Sequence, residues 1–173
     1  MKKIIFSLAA ISAIILVSCG SKDNESQNAE VPQGMMALDL TQYGYPVSIN
    51  VPDSTAGPLE VVAQSWGAID IKVGNAFQLS VKDGQGNIAS RKSDIAGDDV
   101  NKFKRYITDE PSTLLWESQI MEPEFHFYTI VKIGNESYEV EDIAGEIFSE
   151  TAVTKMLEAA KAMKAVEKKQ ENL

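Results

Sequence analysis

Alternation of apolar and polar residues, repeated in run after run from Tyr45 onward, limits what this chain can fold into more than any other feature. Val47, Ile49 and Val51 alternate with Ser48 and Asn50 before Pro52-Asp53 ends the run. Ile69, Ile71 and Val73 alternate with Asp70 and Lys72, and Phe77, Leu79 and Val81 with Gln78, Ser80 and Lys82. A period of two sends successive side chains to opposite faces of an extended chain, so these are half-buried strands. Gly74-Asn75 between the last two runs predicts a tight hairpin. Leu59–Gln64, residues 113–120, Phe125–Ile133 and Ser137–Glu141 add further strands, with Gly134-Asn135 as a turn between the last two.

Two segments depart from that period. Ile95, Val100, Phe103 and Ile107 approach helical spacing and predict a short helix over about 97–107, with Asp98-Asp99 at its positive end and Pro111 closing it. The second is the C-terminal segment, where Ser149 is placed to cap a first turn. Val153, Met156, Leu157, Ala160 and Met163 then form one apolar stripe. A sheet that is apolar on one side must cover that side. The expected fold is therefore α+β: an antiparallel sheet of six or seven strands with the middle helix and the amphipathic C-terminal helix on one face. The element order is similar to the Mog1/PsbP-like layout.

The amino terminus follows different rules. Met1-Lys2-Lys3 precedes the apolar run Ile4 to Val17, which is too short for the roughly 20 residues of a membrane span. With Leu16-Val17-Ser18-Cys19 it resembles the signal sequence and lipobox of bacterial lipoproteins. The resemblance implies cleavage before Cys19 and lipid on that cysteine, the only one in the chain. Gly20 rather than Asp after the cysteine implies the outer membrane. Gly20-Ser21-Lys22-Asp23-Asn24-Glu25 partly resembles the Lys-acidic export signals of Bacteroidota, leaving either the periplasmic face or the cell surface. The expected organisation is a signal peptide over 1–18, lipidated Cys19 with a polar tether to 42, one domain over 43–168 and a polar tail over 169–173.

Removing residues 1–18 takes away two lysines and no acid. Lys plus Arg falls from 16 to 14 against 25 Asp plus Glu, a mature charge of about −11. Such a chain repels phosphate backbones, so nucleic acid is not an expected partner.

Candidate chemistry is sparse. Gly84-Gln85-Gly86-Asn87-Ile88-Ala89 formally matches a relaxed dinucleotide fingerprint, but in an antiparallel setting a hairpin turn is the preferred reading. His126 is the only histidine; on a strand Glu122, Glu124, His126 and Tyr128 would share one face opposite Phe125 and Phe127. Glu122, Glu124 and His126 are weak candidates for a metal site or acid–base pair, with a solvated sheet face as the default. No serine lies in a nucleophile-elbow context, and nothing in the sequence positions a triad around His126. The acidic clusters Asp98-Asp99, Asp109-Glu110 and Glu139-Val140-Glu141-Asp142 lack calcium-loop spacing and read as solvated surface. Trp66, Trp116 and Tyr45 are candidate binding residues, although packing under the chain near Tyr43–Tyr45 is the preferred role for Trp66.

The leading expectation is a non-enzymatic envelope lipoprotein, held to the membrane by lipid on Cys19, that contacts another envelope protein and needs no cofactor. The first alternative is a small-ligand binder with a pocket between sheet and helices. The second is a metal-dependent enzyme using His126.

Overall fold

The computed structural model describes residues 31–166. The signal segment 1–18, Cys19, the tether up to residue 30 and the tail 169–173 lie outside them. In chain order the elements are β1 (Met35–Asp39), a 3₁₀ turn (Thr41–Tyr43), β2 (Val47–Pro52), β3 (Leu59–Ala63), β4 (Ile69–Val73) and β5 (Phe77–Asp83). There follow α1 (Ile88–Gly97), β6 (Lys102–Glu110), β7 (Thr113–Gln119), β8 (Pro123–Ile133), β9 (Glu136–Asp142), α2 (Glu150–Lys161) and β10 (Lys164–Ala165). Seven strands form one sheet in the order β3-β4-β5-β9-β8-β7-β6, and β1-β2-β10 form a second. All pairings are antiparallel. The fold is α+β, and no described helix is long and apolar enough to cross a membrane.

The alternating runs become the strands they predict. Val47, Ile49 and Val51 of β2 and Ile69, Ile71 and Val73 of β4 are all buried, with half-exposed polar neighbours between them. Gly74 makes the β4–β5 turn at φ +57°, a conformation that favours glycine. One face of the large sheet presents Ile71, Leu79, Leu115, Phe127 and Val140 to the main core. The small sheet (Val47, Ile49, Val51) and α2 (Val153, Met156, Ala160) close that core. Ser149 caps α2 by accepting from Ala152 N–H at 3.3 Å. Each large side chain buried here contributes about 1.5–3 kcal/mol.

A second, smaller core lies on the opposite face, where Ile95 of α1 packs with Leu114, Trp116 and Tyr128. Leu114 and Leu115 are successive residues of β7 with opposite directions. The two helices therefore cover different faces, where the sequence suggested one.

Three expectations need correcting. The segment 97–107 is not a helix: α1 ends at Gly97 and β6 begins at Lys102. Register shifts between Phe103 and Arg105 and between Tyr106 and Thr108 distort β6. Phe103 and Tyr106, three apart, thereby reach the same face with ring centroids 4.6 Å apart. That spacing imitates a helix. Residues 84–87 are not a hairpin but the link from β5 into α1, with Asn87 accepting from Ser90 N–H at 2.9 Å as the helix cap. Lastly, the tether expected to reach residue 42 ends earlier, because Met35–Asp39 pair with β2 and Leu40 is fully buried.

Candidate functional site

The strand-to-helix link at 84–87 has the local form of a phosphate cradle, but its space is taken. A Cβ at Gly86, which sits at φ +55°, would collide with the Tyr128 hydroxyl, and one at Gly84 with the Glu139 carboxylate. Tyr128 donates to Glu139 at 2.6 Å. Burial and that carboxylate push the Tyr128 phenol well above its usual range. A carboxylate beside the helix start disfavours an anionic ligand there.

The open space lies at the other end of α1. There the second core gives way to a cleft of about 370 Å³. Its first wall is the C-terminal half of α1 and the turn after it, with Asp94, Ile95 and Asp98. Its floor is Trp116 on β7 with Glu124 and His126 on β8. These three share one sheet face, because Trp116 pairs with His126 and Ser118 with Glu124 across the β7–β8 ladder. The second wall is the loop between β9 and α2, with Gly145, Glu146 and Ile147. That loop is tied down by Ile143 N–H to Gln78 C=O at 3.2 Å and by Phe125 N–H to Phe148 C=O at 3.3 Å. Ile120, from the β7–β8 turn, closes the rim.

At the floor, three residues form a hydrogen-bonded chain. Asp142 accepts from Phe127 N–H at 2.7 Å through one oxygen and meets Nδ1 of His126 at 2.8 Å through the other. Nε2 of the same ring lies 3.0 Å from Ser118 Oγ. Burial works against charge on the imidazole, but the Asp142 hydrogen bond and the carboxylates of Asp142 and Glu124 outweigh it. The His126 pKa is raised.

The order Asp–His–Ser is that of a hydrolytic triad, and the distances are suitable. Two features oppose that chemistry. Ser118 is only 1% exposed and does not line the cleft, so its hydroxyl cannot meet a substrate carbonyl. The raised pKa favours the imidazolium, which donates from both nitrogens and in that form does not take the serine proton. The chain reads as a hydrogen-bonded brace for the floor, with Asp142 holding both the His126 ring and the Phe127 amide.

Above it, Arg91 is bonded to Glu141 and its guanidinium lies 4.4 Å from the centre of the Tyr128 ring. Burial raises the Glu141 carboxyl above its usual range, against the pull of Arg91. The Trp116 and His126 rings are 5.3 Å apart.

The structure separates several predicted site residues. Glu124 and His126 do lie together, with Glu124 Oε2 3.9 Å from Nε2. Glu122 precedes β8 and is exposed. No group of three or more His, Cys, Asp or Glu could hold a metal ion among the described residues, so the metal reading of Glu122, Glu124 and His126 is set aside. Of the three candidate binding aromatics, only Trp116 lines the cleft. Tyr45 stacks near Tyr138 at 5.9 Å and donates its hydroxyl to Gly67 C=O, in the β3–β4 turn. Trp66, in the same turn, is 72% exposed rather than packed beneath the entering chain.

Ser118, Arg91 and Asp94 were not singled out from sequence, and Asp142, expected with its acidic cluster on solvated surface, is buried. For Asp142 a signal was there: alternation places it with Val140 and Tyr138, the buried side of β9, not on solvated surface. No family model matches the chain, and no curated protein and no solved structure matches it either.

Proposed function

We propose that this chain is a lipid-anchored protein of the cell envelope whose folded part is a non-enzymatic binding module that engages another envelope protein through the cleft beside α1. The anchor rests on the resemblance of residues 1–19 to a lipoprotein signal and lipobox. The cleft carries the binding reading. It joins an aromatic floor to a rim where Ile120 and Ile147 are 53% and 69% exposed, with Met121 beside Ile120 at 86%. Exposed apolar groups gathered at one opening are a mark of interaction surfaces. Away from the cleft the same sheet face is polar: Lys82 pairs with Glu139 at 3.2 Å and Gln64 with Asp70 at 2.5 Å.

Two experiments test the two halves. Labelled palmitate should enter the wild type and not Cys19→Ala; equal labelling would refute the anchor. A photo-crosslinking residue at Ile147 should give one discrete adduct in intact cells, while one at exposed Lys155 on α2 should give none. Equal adducts at both positions, or none at Ile147, would refute use of the cleft.

A small-ligand role at a different place has its own support. A cavity of about 720 Å³ lies between α2 (Ala152, Lys155, Ala159) and the segment around Met35, Asn50 and Phe77. Its volume falls within the range of ligand sites.

A further inference from the structure

We propose that the cleft takes a cation carried on an apolar stem, a guanidinium or alkylammonium group, with Glu124 as its charged anchor. The chemistry is that of an arginine or lysine side chain on a partner, or of a free alkylamine or alkylguanidine. The proposal deepens the binding-module reading and rests on it.

Glu124 is the observation that points to a ligand. Its side chain is nine-tenths buried and lines the cleft, yet it makes no hydrogen bond. The nearest cation is Nε2 of His126 at 3.9 Å, beyond hydrogen-bond reach, and both nitrogens of that ring are committed to Asp142 and Ser118. The Glu124 oxygens are not sealed in the core but open to the cleft with no protein donor on them, so an incoming N–H donor with positive charge finds free acceptors there.

The surroundings select the same ligand. Six carboxylates line the cleft against one guanidinium and one imidazole, and that guanidinium is already bonded to Glu141. The resulting field draws cations in and turns anions away. An inorganic ion is disfavoured because no metal-holding group of side chains exists among the described residues. Ile95, Ile120 and Ile147 offer apolar surface along the way in, suited to a methylene stem, and the Trp116 indole suits a cation over its ring. A volume of about 370 Å³ accommodates one such side chain.

The test uses the full chain in non-ionic detergent with Trp66→Phe, which leaves Trp116 as the sole tryptophan. Agmatine, N-acetylarginine amide and a short arginine-centred peptide are titrated against Trp116 emission, with the citrulline amide as the uncharged match. The expected result is saturable binding of the guanidinium compounds, at least tenfold weaker in Glu124→Gln and absent for citrulline. Ile147→Arg places the protein's own guanidinium at an exposed position on the mouth and should weaken binding similarly, independent of any folding defect at Glu124. No saturable change, equal affinity in both variants, or equal binding of citrulline would overturn the proposal. Preference for the peptide over agmatine assigns the cation to a partner chain, and the reverse assigns it to a free small molecule. Failed titrations with Ile147 adducts intact would remove the cation and leave the module. Binding without adducts would remove the envelope partner and leave the cation site.

Discussion

Asp142 ends β9 and does two things with one carboxylate. It takes the Phe127 amide at 2.7 Å, standing in for a strand partner as β9 leaves the ladder, and it holds the His126 ring at 2.8 Å. Its removal would leave the Phe127 amide and the His126 ring without their acceptor, so Asp142→Ala should cost about 3 kcal/mol, measured by urea unfolding. The pH dependence follows from the raised pKa of His126. A folded-state pKa above the ordinary 6.5 contributes stability that is complete below that value and is lost as pH rises through the folded one. Unfolding free energy should therefore fall across that window in the wild type, and the fall should be absent in His126→Gln. A stability that rises with pH there would contradict the raised pKa. Ser118 supplies a second residue-scale check. Ser118→Ala should cost about 1 kcal/mol for the lost hydrogen bond, and an organophosphonate serine probe should leave Ser118 unlabelled. Stoichiometric labelling at Ser118 would reinstate the hydrolase reading.

At the scale of elements, α1 is the decisive piece, since it walls the cleft and covers the second core. It was hard to read because only Ile88 and Ile95 point inward from a polar stretch, too thin a stripe to announce a helix. Its boundaries are set by short polar side chains. Asn87 caps the start, and Asp98 accepts from Val100 N–H at 2.8 Å and Asn101 N–H at 2.9 Å just past the end. Asn87→Ala should cost about 1 kcal/mol and raise amide exchange in α1 before the rest of the sheet. Uniform change across the sheet would show that α1 is not separable. The two edges of the large sheet differ. β6 carries register shifts and the charges Lys102, Lys104 and Arg105, devices that deter edge pairing, whereas β3 is an undistorted edge.

For the whole molecule, the α+β class and the strands of the large sheet were legible, except for β6, because half-burial writes a period of two directly into residues such as Ile69–Val73. C-terminal helix α2 was legible because its five buried positions recur at helical spacing. What escaped was made by distance in sequence. The floor of the cleft joins Trp116, His126 and Asp142 from three strands, and no local pattern encodes that meeting. Alternation did place Glu124 and His126 on one face, so half of the site was visible without its partners. The cleft is the surface proposed to meet a partner in the envelope. Hydroxyl-radical footprinting of the protein in native membranes against the purified protein tests it most directly. Met121, Ile120 and Ile147 should be protected in membranes while Trp66 is oxidised equally in both. Equal oxidation at the rim, or protection at Trp66 alone, would contradict it.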